Sequence, residues 1–161
     1  MVAEKRTTAT PLHELTAQRR SWHEAGLRLV MTNGCFDLLH PGHVALLEAA
    51  RREGDRLLVA LNSDASVRRL KGEGRPLVPE HERAELLLAL EAVDRVVVYG
   101  EDTPIEVVRA LLPDVLVKGA DWAEDAIVGR AEVEAVGGRV VRAALVPGRS
   151  TTSIVERIRR P

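Results

Sequence analysis

Hydrophobic positions along the chain fall into two alternating patterns. Dense apolar runs bounded by turn residues predict strands at 27–31, 55–61, 93–99, 114–118 and 139–145. Between them, apolar residues recur at helical spacing over 11–25, 44–51, 66–70, 79–90, 102–112, 131–136 and 154–160. A run such as Leu57-Leu58-Val59-Ala60-Leu61 has no polar face, so it needs cover on both sides. The alternation of strand and helix therefore predicts an α/β fold: a single Rossmann-like domain with a parallel five-stranded sheet and helices on both faces. Residues 1–10 read as a flexible lead-in and 11–161 as the folded domain; no repeat, low-complexity tract or linker divides it.

Composition narrows the function classes. A 161-residue chain that is 45% apolar and 29% charged suffices for one ordinary globular core. A net charge of −1 gives no reason to expect a nucleic-acid or membrane partner, so any positive potential must be gathered in a cleft. No apolar run approaches a membrane span, and no hydrophobic segment behind the N-terminus suggests a secretory signal. The one cysteine, Cys35, can form no intrachain disulfide, which fits a cytoplasmic location. Of the 23 basic residues, only Lys5, Lys71 and Lys118 are lysine. Codon usage explains that as readily as a need for compact, mobile point charges at the two interior positions.

The densest chemistry lies at the first strand-to-helix junction, Asn33-Gly34-Cys35-Phe36-Asp37-Leu38-Leu39-His40-Pro41-Gly42-His43. Pro41 suits the first helical turn, where a missing N–H costs nothing. His40 and His43 then stand where free N–H groups and the helix dipole favour a phosphate. Gly34 and Gly42 open the backbone to close approach. The same spacing also allows a plainer reading, in which His40 caps the turn and His43 is a hydrogen-bonded, part-buried ring. Cys35 reads as a packing residue with no base beside it.

Three further stretches point to the same rim. Asn62-Ser63-Asp64 ends the second strand as an Asx-rich turn and helix cap. Residues 71–76, Lys-Gly-Glu-Gly-Arg-Pro, read as a flexible polar loop of the kind that carries ligand contacts. Ser150-Thr151-Thr152-Ser153 precedes the last helix and can cap it, grip phosphate, or do both. In a parallel sheet, His40, Asn62, Lys118 and Ser150 all follow strands and converge on one edge. Trp22 is expected to pack and His23 to face solvent, and His13, His23 and His81 make no metal-ligand pattern with the junction histidines.

His-Pro-Gly-His behind Gly-Cys-Phe-Asp-Leu-Leu resembles the signature of the nucleotidyltransferase superfamily that includes cytidylyltransferases and pantetheine-phosphate adenylyltransferase. The resemblance covers residues 30–158. Residues 62–72, Val117-Lys118-Gly119-Ala120-Asp121-Trp122 and Gly148-Arg149-Ser150-Thr151-Thr152-Ser153-Ile154 resemble the heptose 1-phosphate adenylyltransferase branch in particular. With no room for that branch's kinase half, a stand-alone form is implied.

The resemblance implies transfer of AMP from ATP to a sugar 1-phosphate, D-glycero-D-manno-heptose 1-phosphate, with ADP-heptose and pyrophosphate as products. It implies catalytic roles for His40, His43 and Lys71. Asn33, Gly34, Cys35, Phe36, His40, Gly42, His43, Lys118, Ser150, Thr151 and Thr152 would bind the nucleotide. Asp37, Asn62, Asp64, Lys71, Arg83 and Asp121 would face the acceptor. Asp37 is expected to shape its turn rather than act as a base, and Arg83 to meet the sugar phosphate or lie solvated on its helix. Mg²⁺ is expected on the triphosphate and not in a protein cage, and a homodimer is implied. One departure bears on the nucleotide: glycerol-3-phosphate cytidylyltransferase carries Arg-Thr-Glu-Gly where this chain has Leu145-Val146-Pro147-Gly148. That favours ATP over the alternative, a CTP-dependent enzyme acting on an alcohol phosphate such as glycerol 3-phosphate. A regulatory nucleotide-binding module or an electron-transfer flavoprotein would share the sheet. The intact His pair and hydroxyl run argue against the first, and the His-rich turn against the second.

Overall fold

The alternation is realised as one parallel sheet in the computed structural model, which describes residues 7–160. The chain runs α1 (Leu12–Glu24), β1 (Leu29–Gly34), α2 (Pro41–Arg51), β2 (Arg56–Asn62), α3 (Asp64–Lys71), α4 (Glu80–Ala89) and β3 (Arg95–Tyr99). It continues through α5 (Ile105–Leu111), β4 (Val115–Gly119), a 3-10 turn (Glu124–Ala126), α6 (Arg130–Ala135), β5 (Arg139–Ala143) and α7 (Thr151–Arg159). The strand order is β3-β2-β1-β4-β5, all parallel.

Period-2 alternation divides the apolar runs between two cores. Val30, Leu57, Val59, Leu61, Val96, Val115 and Val117 pack against Leu47 and Ala50 of α2 and Ala84 and Leu87 of α4. Leu29, Met31, Leu58, Ala60, Val97 and Leu116 face the other way, onto Leu15 of α1, Val107 and Leu111 of α5 and Val133 of α6. Both faces of the central strands are covered, which is why these runs lack a polar face.

The N-terminal ends of the strands are latched by carboxylates. Asp55, Asp94 and Asp114 each sit just before a strand and accept the N–H of a neighbouring segment: Arg28 at 2.8 Å, Leu57 at 2.8 Å and Leu29 at 2.7 Å. Arg19 closes Asp114 at 3.1 Å and donates to the Leu111 and Leu112 carbonyls that end α5. At the opposite end the chain moves outward through β2 and β3 and then returns to β4 on the far side of β1. That reversal opens a crevice above β1 and β4, the usual ligand position in such sheets.

Several expected boundaries shift. Asn33 and Gly34 belong to β1 and not to a turn, and β5 stops at Ala143. Lys71 is the last residue of α3 and not part of the loop that follows. α7 begins at Thr151, three residues earlier than its apolar spacing suggests, because Ser150 and Ser153 form a reciprocal capping box. Residues 1–6 of the expected lead-in, with Lys5, lie outside the described residues. Thr10, at its end, is anchored instead: it is buried and its N–H donates to the Val96 carbonyl at 2.7 Å. Trp22 packs against the second core and His23 is exposed, as expected.

Candidate active site

The β1–α2 junction is built around two stacked imidazoles. His40 is the N-cap of α2, and its Nδ1 accepts the Gly42 N–H at 3.1 Å, so the neutral ring carries its proton on Nε2. Gly42 must lack a side chain, because a Cβ there would lie 2.8 Å from the His40 ring. His43 stacks on His40 with centroids 3.8 Å apart and leans on the buried Phe36 ring at 5.2 Å. Phe36 and Leu38 hold positive φ of 47° and 53°, a left-handed backbone that costs each on the order of 1–3 kcal/mol. Such strain collects where a turn must present groups in one orientation.

Burial holds both imidazoles in the neutral form. It pushes His43 down to about 4, with the neighbouring His40 adding to the effect. Burial and then the Arg149 guanidinium lower His40. The His43 Nδ1 is buried and has no hydrogen-bond partner among the described residues. A buried polar atom left unpaired is costly and invites a ligand or water.

Asp37 ties three segments to this turn. Its carboxylate accepts the N–H groups of Leu77 at 2.9 Å and Val78 at 3.0 Å and pairs with Arg75 at 2.9 Å. Its carbonyl accepts the Thr151 hydroxyl at 2.7 Å, which docks the first turn of α7 beside that of α2. Asp37 therefore lines the cleft with its carboxylate already spent on protein. These contacts fix the shape of the turn, and Asp37 remains on the cleft wall.

Polar side chains from several strands form the cleft floor. Lys118 donates to the Asn33 amide oxygen at 2.9 Å, and the Asn33 amide nitrogen donates to the Tyr99 hydroxyl at 3.3 Å. Burial lowers Lys118 to about 8, although Asp121 opposes the shift. Its ammonium also lies 4.7 Å from the centroid of Trp122. Burial raises Tyr99 to about 12. Cys35 points its thiol at the Asn62 side-chain amide oxygen at 3.8 Å, and burial pushes the thiol up, away from the thiolate.

The resulting cleft is about 900 Å³. It brings together Asn33, Gly34, Cys35, Phe36, Asp37, His40, Gly42, His43, Asn62, Lys71, Lys118, Asp121, Ser150, Thr151 and Thr152. Arg83 and Asp64 are not among its lining residues. Arg83 is 0% exposed, and its guanidinium donates to the carbonyls of Val78 (2.8 Å), Cys35 (2.6 Å) and Asn62 (2.9 Å) and to the Asp64 carboxylate (2.7 Å). It is a keystone beneath the site with its donors already spent. One signal of this was available, since Arg83 precedes Leu87 by four residues and so shares its buried helix face. Sequence reasoning missed Arg75, Tyr99, Trp122 and Arg149, which also line the cleft. Among the described residues no three His, Cys, Asp or Glu side chains cluster to hold a metal.

Fold and site together are those of a nucleotidyltransferase. The chain belongs to the cytidylyltransferase-like family, whose profile matches residues 31–157. It is 57% identical over 145 residues to the bifunctional protein HldE of Gluconobacter oxydans (strain 621H), covering 90% of this chain and 30% of that one. To the bifunctional protein HldE of Gluconacetobacter diazotrophicus it is 60% identical over 138 residues, covering 86% and 28%. The chain thus spans about 30% of the length of the curated relatives it matches. A crystal structure of the lipopolysaccharide core biosynthesis protein from Thermoplasma volcanium superposes with a TM-score of 0.62 at 30% identity, over 75% of this chain and 98% of that one. Pantothenate synthetase from Thermus thermophilus shares the fold, with a TM-score of 0.59 at 20% identity over 88% and 62%. No helix among the described residues is long and apolar enough to cross a membrane.

Proposed function

We propose that the chain transfers AMP from ATP to a sugar 1-phosphate, D-glycero-D-manno-heptose 1-phosphate in particular, releasing pyrophosphate and giving ADP-heptose. The observation that carries this reading is the stacked His40–His43 pair, held neutral beside the first turn of α7. The sugar-phosphate oxygen attacks the α-phosphorus in line. As that P–O bond forms, the bond to the α,β-bridging oxygen breaks and pyrophosphate leaves with the electron pair. A phosphate monoester is already largely ionised at pH 7, so no general base is needed.

The protein's task is to align two polyanions and meet charge as it spreads. His40 offers its Nε2–H, and an incoming triphosphate raises the pKa of both imidazoles, so donors that were neutral in the free protein become cationic on the substrate. Asn33, Gly34, Cys35, Phe36, Gly42, Lys118 and the Ser150-Thr151-Thr152 run form the nucleotide side. Lys71, Asn62, Asp121 and Asp37 on the cleft wall form the acceptor side, with Arg83 and Asp64 supporting them from behind. Mg²⁺ enters on ATP. The branch motifs, the identity to the HldE proteins and the lipopolysaccharide-core role in the name of the Thermoplasma neighbour support a sugar phosphate. We further propose a cytoplasmic homodimer; sedimentation of the purified chain tests the dimer.

Pyrophosphate release, measured for ATP and CTP against heptose 1-phosphate and glycerol 3-phosphate, tests the reaction. ATP with heptose 1-phosphate is expected to turn over fastest. Faster turnover of CTP with glycerol 3-phosphate would replace this reading with the alcohol-phosphate one.

A further inference from the structure

The helix N-termini divide into two groups. α1, α3, α4, α5 and α6 each carry an acidic residue in the first turn: Glu14, Asp64, Glu80 with Glu82, Glu106 and Glu132. These complement the positive end of the dipole from within the chain. α2 and α7 carry none, and they are the two helices whose first turns meet across the Thr151–Asp37 hydrogen bond. The carboxylate at this corner, that of Asp37, is already occupied by Leu77, Val78 and Arg75. The corner between these helices thus gathers uncompensated positive potential.

Arg149 adds a full charge to it. The residue directly precedes the Ser150 cap of α7, lines the cleft and is exposed. Its stem lies against the first turn of α2, since a Cβ on Gly42 would come 3.4 Å from the Arg149 Cβ. Among the described residues it has no ion-pair partner. It stands near enough to His40 to oppose that ring's protonation. A guanidinium, a histidine and two helix N-termini without a counter-anion are arranged for a polyphosphate, which a planar fork grips at two oxygens.

We infer that Arg149 clamps the departing pyrophosphate. The inference rests on the adenylyl-transfer reading above and adds a residue and a direction to it. Lys71, the cation proposed for an acceptor phosphate, ends α3 and lies on that side of the junction, and Arg149 lies on the α7 side. In-line displacement puts the entering and leaving oxygens on opposite sides of phosphorus, so the α7 side receives the leaving group. As the bond from the α-phosphorus to the bridging oxygen breaks, the electron pair settles on the pyrophosphate oxygen beside Arg149.

Titration calorimetry with inorganic pyrophosphate plus Mg²⁺, with ATP and with AMP tests this in wild type and in Arg149→Gln. The variant should bind pyrophosphate and ATP at least ~10-fold more weakly, as loss of a charge-assisted bidentate contact does, while AMP binding stays as in wild type. Arg149→Lys keeps the charge without the fork and should fall between them. Equal pyrophosphate affinity in wild type and Arg149→Gln would overturn the assignment, as would a parallel loss of AMP. Wild-type protein that binds neither ATP nor pyrophosphate would instead sink the adenylyl-transfer reading, and the inference with it.

Discussion

The two ends of the sheet are furnished in opposite ways. At the N-terminal end the carboxylates serve the fold itself. Asp55, Asp94 and Asp114 accept backbone N–H groups and pair with Arg28, Arg51 with Arg56, and Arg19. At the C-terminal end groups are held against their own preference. His43 and Lys118 are desolvated, one His43 nitrogen is unpaired, and Phe36 and Leu38 carry a left-handed backbone. One edge of the sheet is latched mainly by carboxylates, and the other holds desolvated groups that the proposed polyanion would relieve. Keeping the two apart lets one sheet do both.

That contrast breaks first at the histidines. His40→Ala or His43→Ala should lower kcat at least ~10²-fold, the scale of losing one preorganised donor, with little loss of melting temperature. Near-normal turnover in both variants would remove the pair from the mechanism. At the other end the expectation inverts. Asp114→Ala abandons the Leu29 N–H and Arg19 together and should cost about 2–3 kcal/mol of stability, read by urea unfolding, while kcat per folded molecule is kept.

Lys118 sharpens the comparison from the functional side. Its folded value of about 8 lies below its ordinary 10.5, so burial opposes the ammonium at pH 7. Lys118→Met should therefore raise the melting temperature and weaken ATP binding, the reverse of Asp114→Ala on both counts. A variant that loses stability along with ATP affinity would show the ammonium to be a structural group. The smallest effect is a pH slope. His43 is depressed from 6.5 to about 4, so the unfolded chain binds the extra proton first as pH falls. The stability this ring contributes is fully present above pH 6.5 and is lost toward pH 4. His43→Gln should flatten the unfolding free energy across that window, and an unchanged slope would assign the slope to other groups.

Much of this division is legible in the sequence because periodicity reports burial. The five apolar runs and the intervening helices follow from spacing, and His-Pro-Gly-His stands out because proline and glycine fix where a helix begins. What spacing cannot report is which polar group is already occupied. Arg83 and Asp64 carry the right chemistry for an acceptor phosphate, yet they spend it on each other and on carbonyls brought in from three segments. Asp37 is occupied by Leu77 and Val78, 40 and 41 residues away. Arg149 escaped for the opposite reason. It sits in a loop by sequence, and only the docking of α7 against α2 gives its charge a neighbour. The early start of α7 was hidden because its box closes with Ser153 and not the usual Glu or Gln.

No residue of α7 is fully buried, although its first turn forms one wall of the anion corner. Half of that wall is therefore fastened by caps and one threonine hydroxyl and not by the core. Amide protons in α7 should exchange with deuterium far sooner than those of α2, whose Leu47 and Ala50 are interior. A nucleotide that bridges both helices must then slow α7 most. At a concentration about 100 times its dissociation constant the protection gained reaches about 2.7 kcal/mol if opening abolishes binding, or roughly a hundredfold in exchange rate. The C-terminal helix thus doubles as a built-in reporter, readable by mass spectrometry with ATP alone, before any acceptor has been identified.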